Sequence, residues 1–506
     1  MTAAADLILR DGVVHTLAGD EETYDAVAVR DGRVVGLASD YDVAFLEGTG
    51  TEVVDLGGRH VLPGFVDAHT HMEHVGQFGV HADLRGASGP GEVTERLRER
   101  AGETDGEWVL GFGYDESQWA DGDLHRSDLD AVSETRPVAA VREDMHTATV
   151  NGAALDAYGA EMPAGDVLGD GRIVEDAVEV VFAATDPDPG ETEALLRAAQ
   201  REANEKGVTA VHDMVRQSHA PRVYRDLDAA GDLTVRVRLN YWSDHLDAVL
   251  ETGLRTNHGS AMVEVGGIKT FTDGSLGGRT AKLSEPYADA TGETGTWVVD
   301  PGELRALVAR ADDAGLQVTA HAIGDEAVDA VLDAYEDAAA DAGASRHRIE
   351  HSELASDDAV ARMAELGVVA SMQPNFLKWA GREGLYEDRL GTERREASNC
   401  FPAYLEAGVP LAFGSDCMPL DPLLGVHYAV NAPADEQQVS VTEALRAYTS
   451  GGAYAGCREH EQGTIEVGAL ADFTVLEASP WERADAIRDL DVAMTVVDGD
   501  VVYRAD

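Results

Sequence analysis

Hydrophobic positions along this chain follow two rhythms. Toward both ends, short apolar runs alternate with polar residues or stop at turns. They are ADLILRDGVVHTL, DAVAVRDGRVVGLA and TEVVDLGGRHV within residues 1–59, and GTIEVGALADFTVLEASP and VAMTVVDGDVVYRAD at the far end. A period of two marks strands with one buried face, and the Asp-Gly pairs between runs suit tight hairpin turns. Neither set is long enough for a good independent core, so the two ends are expected to pair into one small β-sandwich domain, residues 1–59 with 463–506.

Between them the rhythm changes. Strand-like runs alternate with helical stretches such as GELRALVARADDAG and DDAVARMAELG, the signature of βα units around a parallel sheet. The runs are VLPGFVDAH, GVTAVHDM, TVRVRLNYW, VEVGGIKTFTDG, GLQVTAHAIGD, HRIEHSE, GVVASMQPNF and VPLAFGSDC. Eight runs predict a (β/α)8 barrel of the TIM type over residues 60–462. The first two lie too far apart for a loop, so residues about 77–200 are expected to form a structured insertion. Its aromatic residues Trp108, Tyr114 and Trp119 either line a lid over a pocket or form an ordinary small core, with the core preferred.

Charge sharpens the picture. Asp and Glu number 94 against 39 Lys and Arg, a formal net charge of -55, spread along the whole chain. Self-repulsion of that size opposes a compact state in dilute buffer, but at about 1 M salt the screening length falls to roughly 3 Å. The surface therefore reads as adapted to a salt-rich cytoplasm. Nucleic acid is excluded as a partner because phosphate binding needs basic patches. No run of about 18 apolar residues and no leader pattern occurs, so neither a membrane partner nor export is expected. Three cysteines without CxxC spacing suit a reducing compartment. Barrels of this size often pair, which leaves a homo-oligomer open.

Residues able to bind metal recur where these strands end, the place where barrel enzymes build their sites. The first run holds His69 and His71, alternate positions that share a strand face; the fourth holds Lys269, the fifth His321, the sixth His351 and the eighth Asp416. Singly, each histidine reads more simply as a hydrogen-bonded core residue, Asp416 as a helix cap and Lys269 as half of a salt bridge. Together they read as a metal site. Lysine is almost absent from the chain, with only Lys206, Lys269, Lys282 and Lys378 present. Within an apolar strand, Lys269 fits use as a neutral amine that carbon dioxide converts to a metal-bridging carbamate.

PGFVDAHTH, GIKTFTDGSLGGRTAKL, AHAIGD, RIEHSE, FGSDC and the closing GTIEVGALADFTVL resemble the amidohydrolase superfamily of metal-dependent hydrolases. GFGYDESQW, DMHTATVNGAAL and GRIVEDA in the insertion are similar to its YtcJ-like branch, which includes N-substituted formamide deformylase. The resemblance spans essentially the whole chain and implies a barrel with a composite β domain. It implies that His69, His71 and Asp416 bind one ion, that His321 and His351 bind another, and that carboxylated Lys269 bridges them. One or two divalent ions are expected. Zinc is the default for these donors, with manganese or iron as alternatives.

That chemistry implies a metal-bound hydroxide as nucleophile, with Asp416 as the acid/base that moves a proton from water to the leaving amine. The expected reaction is hydrolysis of a non-peptide carbon-nitrogen bond in a small molecule, most simply an amide or N-formyl group. Deamination or cyclic-amide opening is the near alternative, and an inactive barrel serving as scaffold or binding protein the distant one. Arg279 either holds a substrate carboxylate or carbonyl or braces its glycine-rich loop. By the resemblance His146 and Glu175 contact substrate, although this chain has Met145 where the branch commonly has glycine. His212 either contacts substrate or orients a neighbour, with the latter favoured. His74 is expected in a loop.

Overall fold

A computed structural model describes residues 4–19, 22–116, 119 and 122–505; Ser117 and Gln118 of the GFGYDESQW stretch lie outside them. Eight parallel strands form one sheet: β1 (Phe65–Thr70), β2 (Val208–Val215), β3 (Arg236–Trp242), β4 (Val263–Phe271), β5 (Gln317–Ala322), β6 (Arg348–His351), β7 (Val369–Met372) and β8 (Leu411–Phe413). Their order in space follows the chain, each pairing with the next. Nearly every strand residue is buried, as expected where a parallel sheet encloses side chains on one face and carries helices on the other.

The two ends of the sheet meet just beyond β1 and β8. The Asp416 N–H donates to the His69 carbonyl at 2.7 Å. The Asp67 carboxylate accepts from the N–H groups of Ser415 and His69 at 3.0 and 3.1 Å. This seam needs Gly414, since a Cβ there would sit 2.4 Å from the His69 nitrogen. Barrel closure and the placement of His69 beside Asp416 are thus one event.

Helices around the sheet start and stop where local chemistry dictates. Asp300 caps Pro301–Asp313 by accepting from the Gly302 N–H, and Ser356 caps Asp357–Leu366 by accepting from Ala359. Gly367 ends the latter at φ 67°, a left-handed turn that glycine adopts without steric cost.

Strands from both termini build the second layer. A six-stranded sheet joins Thr23–Tyr24, Val13–His15 and His60–Pro63 to Phe473–Leu476, Val492–Val497 and Asp500–Arg504, and a four-stranded sheet holds Leu7–Arg10, Ala26–Arg30, Arg33–Ala38 and Glu52–Asp55. Leu9, Val27, Val61, Phe473 and Val496 share the core of this sandwich. Asp31-Gly32 and Asp498-Gly499 both take positive φ and turn true hairpins. Asp11-Gly12 does not: the strands it joins belong to different sheets.

Met72–Glu202 forms a compact unit of its own, with a five-stranded sheet of Ala82–Asp83, Val109–Tyr114, Val138–Arg142, Thr147–Val150 and Arg172–Val174. Trp108 packs in one hydrophobic cluster of this unit, Tyr114 and Trp119 in another. His74 lies in the helix Met72–Val80, not in a loop, because the chain turns helical two residues after β1. Among the described residues no helix is long and apolar enough to cross a membrane.

The acidic excess has a measurable consequence. Raising KCl from 0.1 to 2 M is expected to raise the melting temperature by several degrees, as carboxylate repulsion is screened. A flat or falling melting temperature would remove the inference of salt adaptation.

Candidate metal centre

His69, His71 and Asp416 bring one ligand atom each within 4.8 Å of one another. Asp416 Oδ1 lies 3.2 Å from His71 Nε2 and 3.6 Å from His69 Nε2. The opposite nitrogens fix the rings. His69 Nδ1 is 2.6 Å from Glu350 Oε2, and His71 Nδ1 is 3.2 Å from the Met214 carbonyl. Each Nδ1–H donates outward, which turns each Nε2 toward the cluster. His69 is fully enclosed, while the His71 and Asp416 side chains remain 20% and 14% exposed, giving the group one open side.

His321, His351 and Lys269 stand beside this group without joining its tight cluster. The His351 ring is 5.0 Å from that of His69 and 4.4 Å from that of His321, and Lys269 Nζ is 3.4 Å from His69 Nε2. His321 uses Nε2 on the Gly274 carbonyl at 3.0 Å. The buried Nδ1 atoms of His321 and His351 have no hydrogen-bond partner among the described residues. Two orphaned imidazole nitrogens side by side demand an explanation. His351 and Asp416 also hold φ at 72° and 50°, backbone strain of the kind that surrounding structure must enforce.

Electrostatics prepares these groups as ligands. Burial, then the nearby Lys269 ammonium, pushes His69 down to about 4 and His321 to about 3; burial and the adjacent imidazoles take His351 well below its ordinary value. All three are neutral at pH 7. Burial alone would raise the Asp416 carboxyl, yet His69, His71 and His351 hold it far below the usual carboxylate range. Burial brings Lys269 down to about 8 against the opposing pull of Glu350 and Asp416, so its free amine is within reach near neutral pH.

Several residues that support the cluster carried no sequence signal strong enough to single them out. Arg348 Nε lies 2.6 Å from Glu350 Oε1 in a fully buried ion pair, and Arg348 Nη1 donates to His212 Nδ1 at 2.8 Å. His212 thus connects to His69 through Arg348 and Glu350. Asp273 accepts from the N–H groups of Lys282, Gly324 and Ile323 at 2.8, 2.9 and 3.1 Å, tying the loop after β4 to the end of β5. The visible hint was charge inside short apolar strands, as in RIEH.

Arg279, His146 and Glu175 each make ion pairs. Arg279 makes a bidentate pair with Asp289, at 2.6 and 3.1 Å, the loop-bracing arrangement; Asp289 also receives Arg389. His146 and Glu175 pair with each other at 3.3 Å within the insertion, 69% and 68% exposed.

The donor set fits a divalent cation. Imidazoles, an ionised carboxylate and a depressed lysine converge, with two orphaned ring nitrogens alongside, a set of donors suited to such an ion.

Comparison with known proteins follows this geometry. The pattern that defines the Amidohydrolase family matches residues 52–503. "Putative amidohydrolase YtcJ" of Bacillus subtilis is 31% identical over 98% of this chain and 99% of its own length. "N-substituted formamide deformylase" of Arthrobacter pascens is 28% identical over 100% of this chain and 99% of its own. The crystal structure of an uncharacterized metal-dependent hydrolase from Pyrococcus furiosus superposes with a TM-score of 0.80 at 30% identity, covering 94% of this chain and 99% of that one.

Proposed function

The chain belongs to the amidohydrolase family of metal-dependent hydrolases, and from that premise we propose that it hydrolyses a non-peptide carbon-nitrogen bond in a small molecule, an amide or N-formyl group. The observation that carries the reading is Asp416, a carboxylate held ionised between two oriented histidines on the open side of the cluster. Likeness to a formamide deformylase over the whole chain supports the choice of bond.

His69, His71 and Asp416 would hold one cation, with His321, His351 and Lys269 available to a second. Lys269 would serve as the free amine or as a carbamate, formed when its nitrogen attacks carbon dioxide and releases a proton. Bound there, a divalent cation supplies Lewis acidity toward a carbonyl and lowers the pKa of water. Asp416 accepts the proton of the attacking water and returns it to the departing nitrogen. Glu350 keeps His69 in the tautomer whose Nε2 faces inward.

The test is elemental analysis of protein purified in molar KCl, followed by assay of a panel of amides and N-formyl amines for release of both amine and carboxylate. Metal-loaded wild type is expected to release both. Ammonia release from amino-heterocycles with every amide left intact would replace this reading by deamination. Lys269→Ala is expected to lower the metal content from two ions per chain to one. Unchanged occupancy would make Lys269 structural.

A further inference from the structure

A cavity lies at the other end of the barrel. Its volume is about 320 Å³, and its walls include Ala210–His212 within β2, Arg236–Arg238 at the start of β3, the Gly259–Met262 turn and Glu264 before and on β4, and Arg458, Glu461 and Leu470 from the chain after the last barrel strand. The ligand cluster sits at the opposite strand ends, so this cavity is a separate place.

Its chemistry centres on Arg238, whose side chain is only 5% exposed. Nη1 donates to Asn257 Oδ1 at 2.7 Å and to Glu264 Oε2 at 3.3 Å. Nε and Nη2 are buried and have no hydrogen-bond partner among the described residues. These two nitrogens form one edge of the guanidinium, the edge that takes a carboxylate in two parallel hydrogen bonds. Leaving it unpartnered in a buried setting is costly. Arg236, by contrast, is fully engaged by Asp472 and Asp498, and Arg458 by Glu264 and Glu461.

The surroundings set the size and charge of an occupant. Burial, with Arg348, Arg458 and Arg346 nearby and against the opposing pull of Cys457, brings Arg238 down to about 10; a monoanion would ease the remaining positive charge. Glu264 and Glu461 in the wall disfavour a dianion such as phosphate. The space is about tenfold a water molecule's share of roughly 30 Å³, and Val211, Val237, Met262 and Leu470 offer apolar surface. A lone inorganic ion would leave most of it unfilled.

We propose that this cavity binds a small aliphatic monocarboxylate, its carboxylate on the Nε/Nη2 edge of Arg238 and its tail against the apolar wall. Arg238 is none of the candidate metal ligands, although His212 in the cavity wall leads through Arg348 and Glu350 to His69.

Calorimetric titration of the full-length protein with butyrate tests this, in potassium fluoride and again in potassium chloride of equal ionic strength. Saturable binding is expected in both. Arg238→Gln should weaken it at least tenfold while leaving Glu264 paired with Arg458. Ala261→Trp, at an exposed position on the rim, should do the same by filling the mouth without disturbing the barrel core. Asp416→Asn should bind butyrate like wild type, which separates this site from carboxylate ligation at the metal centre. Absence of saturable binding, or binding that both cavity variants retain, overturns the proposal. So does butyrate binding abolished by chloride, the mark of an inorganic-anion site, or lost in Asp416→Asn.

Discussion

Replacing Asp416 by asparagine is expected to lower hydrolytic turnover by about 10³-fold or more while leaving the barrel closed. The removal of a positioned acid/base alone costs roughly 10²–10⁴ in rate. Here the same oxygen also faces His71 and His69 at 3.2 and 3.6 Å, so the substitution weakens cation retention as well. Asparagine keeps the side-chain shape, and the hydrogen bond that closes the seam runs from the Asp416 backbone N–H to His69, which the substitution leaves in place. The melting temperature should therefore change little. Turnover and metal content measured on the same preparation separate the two contributions: reloading with excess metal should restore occupancy but not rate. A metal-loaded Asp416→Asn enzyme within tenfold of wild type would show that another group moves the proton.

Most of the fold could be read from hydrophobic rhythm because burial is what creates that rhythm. Each of the eight apolar runs overlaps one barrel strand, but the first, VLPGFVDAH, opens with Val61–Pro63, which belong to the sandwich sheet and not to the barrel; the termini pair because neither has enough apolar surface alone. Turn chemistry was legible only locally. Asp11-Gly12 looks like Asp31-Gly32, yet the choice between hairpin and sheet crossing rests on which partner strand is available, and Leu7–Arg10 finds Glu52–Asp55 on one side and Ala26–Arg30 on the other. The candidate ligands stood out by type and position at strand ends. Their supports did not, since Glu350 meets His69 across 281 positions of sequence. Arg238 belonged to a visible pattern, the alternate polar positions Arg236, Arg238 and Asn240 of TVRVRLNYW, but alternation alone does not say whether such a face meets water, a partner or a cavity.

Glu350 is the support whose loss should be felt most widely. It is completely buried and serves two masters: Oε2 orients His69, and Oε1 balances the equally buried Arg348. Burial would raise its pKa, but Arg348 and His69 bring it down to about 2, so the carboxylate is charged at any working pH. Glu350→Gln keeps the shape and removes the charge. Breaking one side of a buried ion pair leaves the other uncompensated, which costs about 3–5 kcal/mol, and loosening the partner of a ligating histidine lowers metal affinity by roughly 10- to 100-fold. The two effects have different sources, and a second substitution divides them. Adding Arg348→Met removes the stranded guanidinium, so the double variant should regain much of the stability in denaturant titrations, while its metal affinity stays low because His69 still lacks a charged partner. Full recovery of both would mean that Glu350 acts on His69 only by holding Arg348 in place. Recovery of neither would mean that the shape of the pair, and not its charge, organises this end of the barrel.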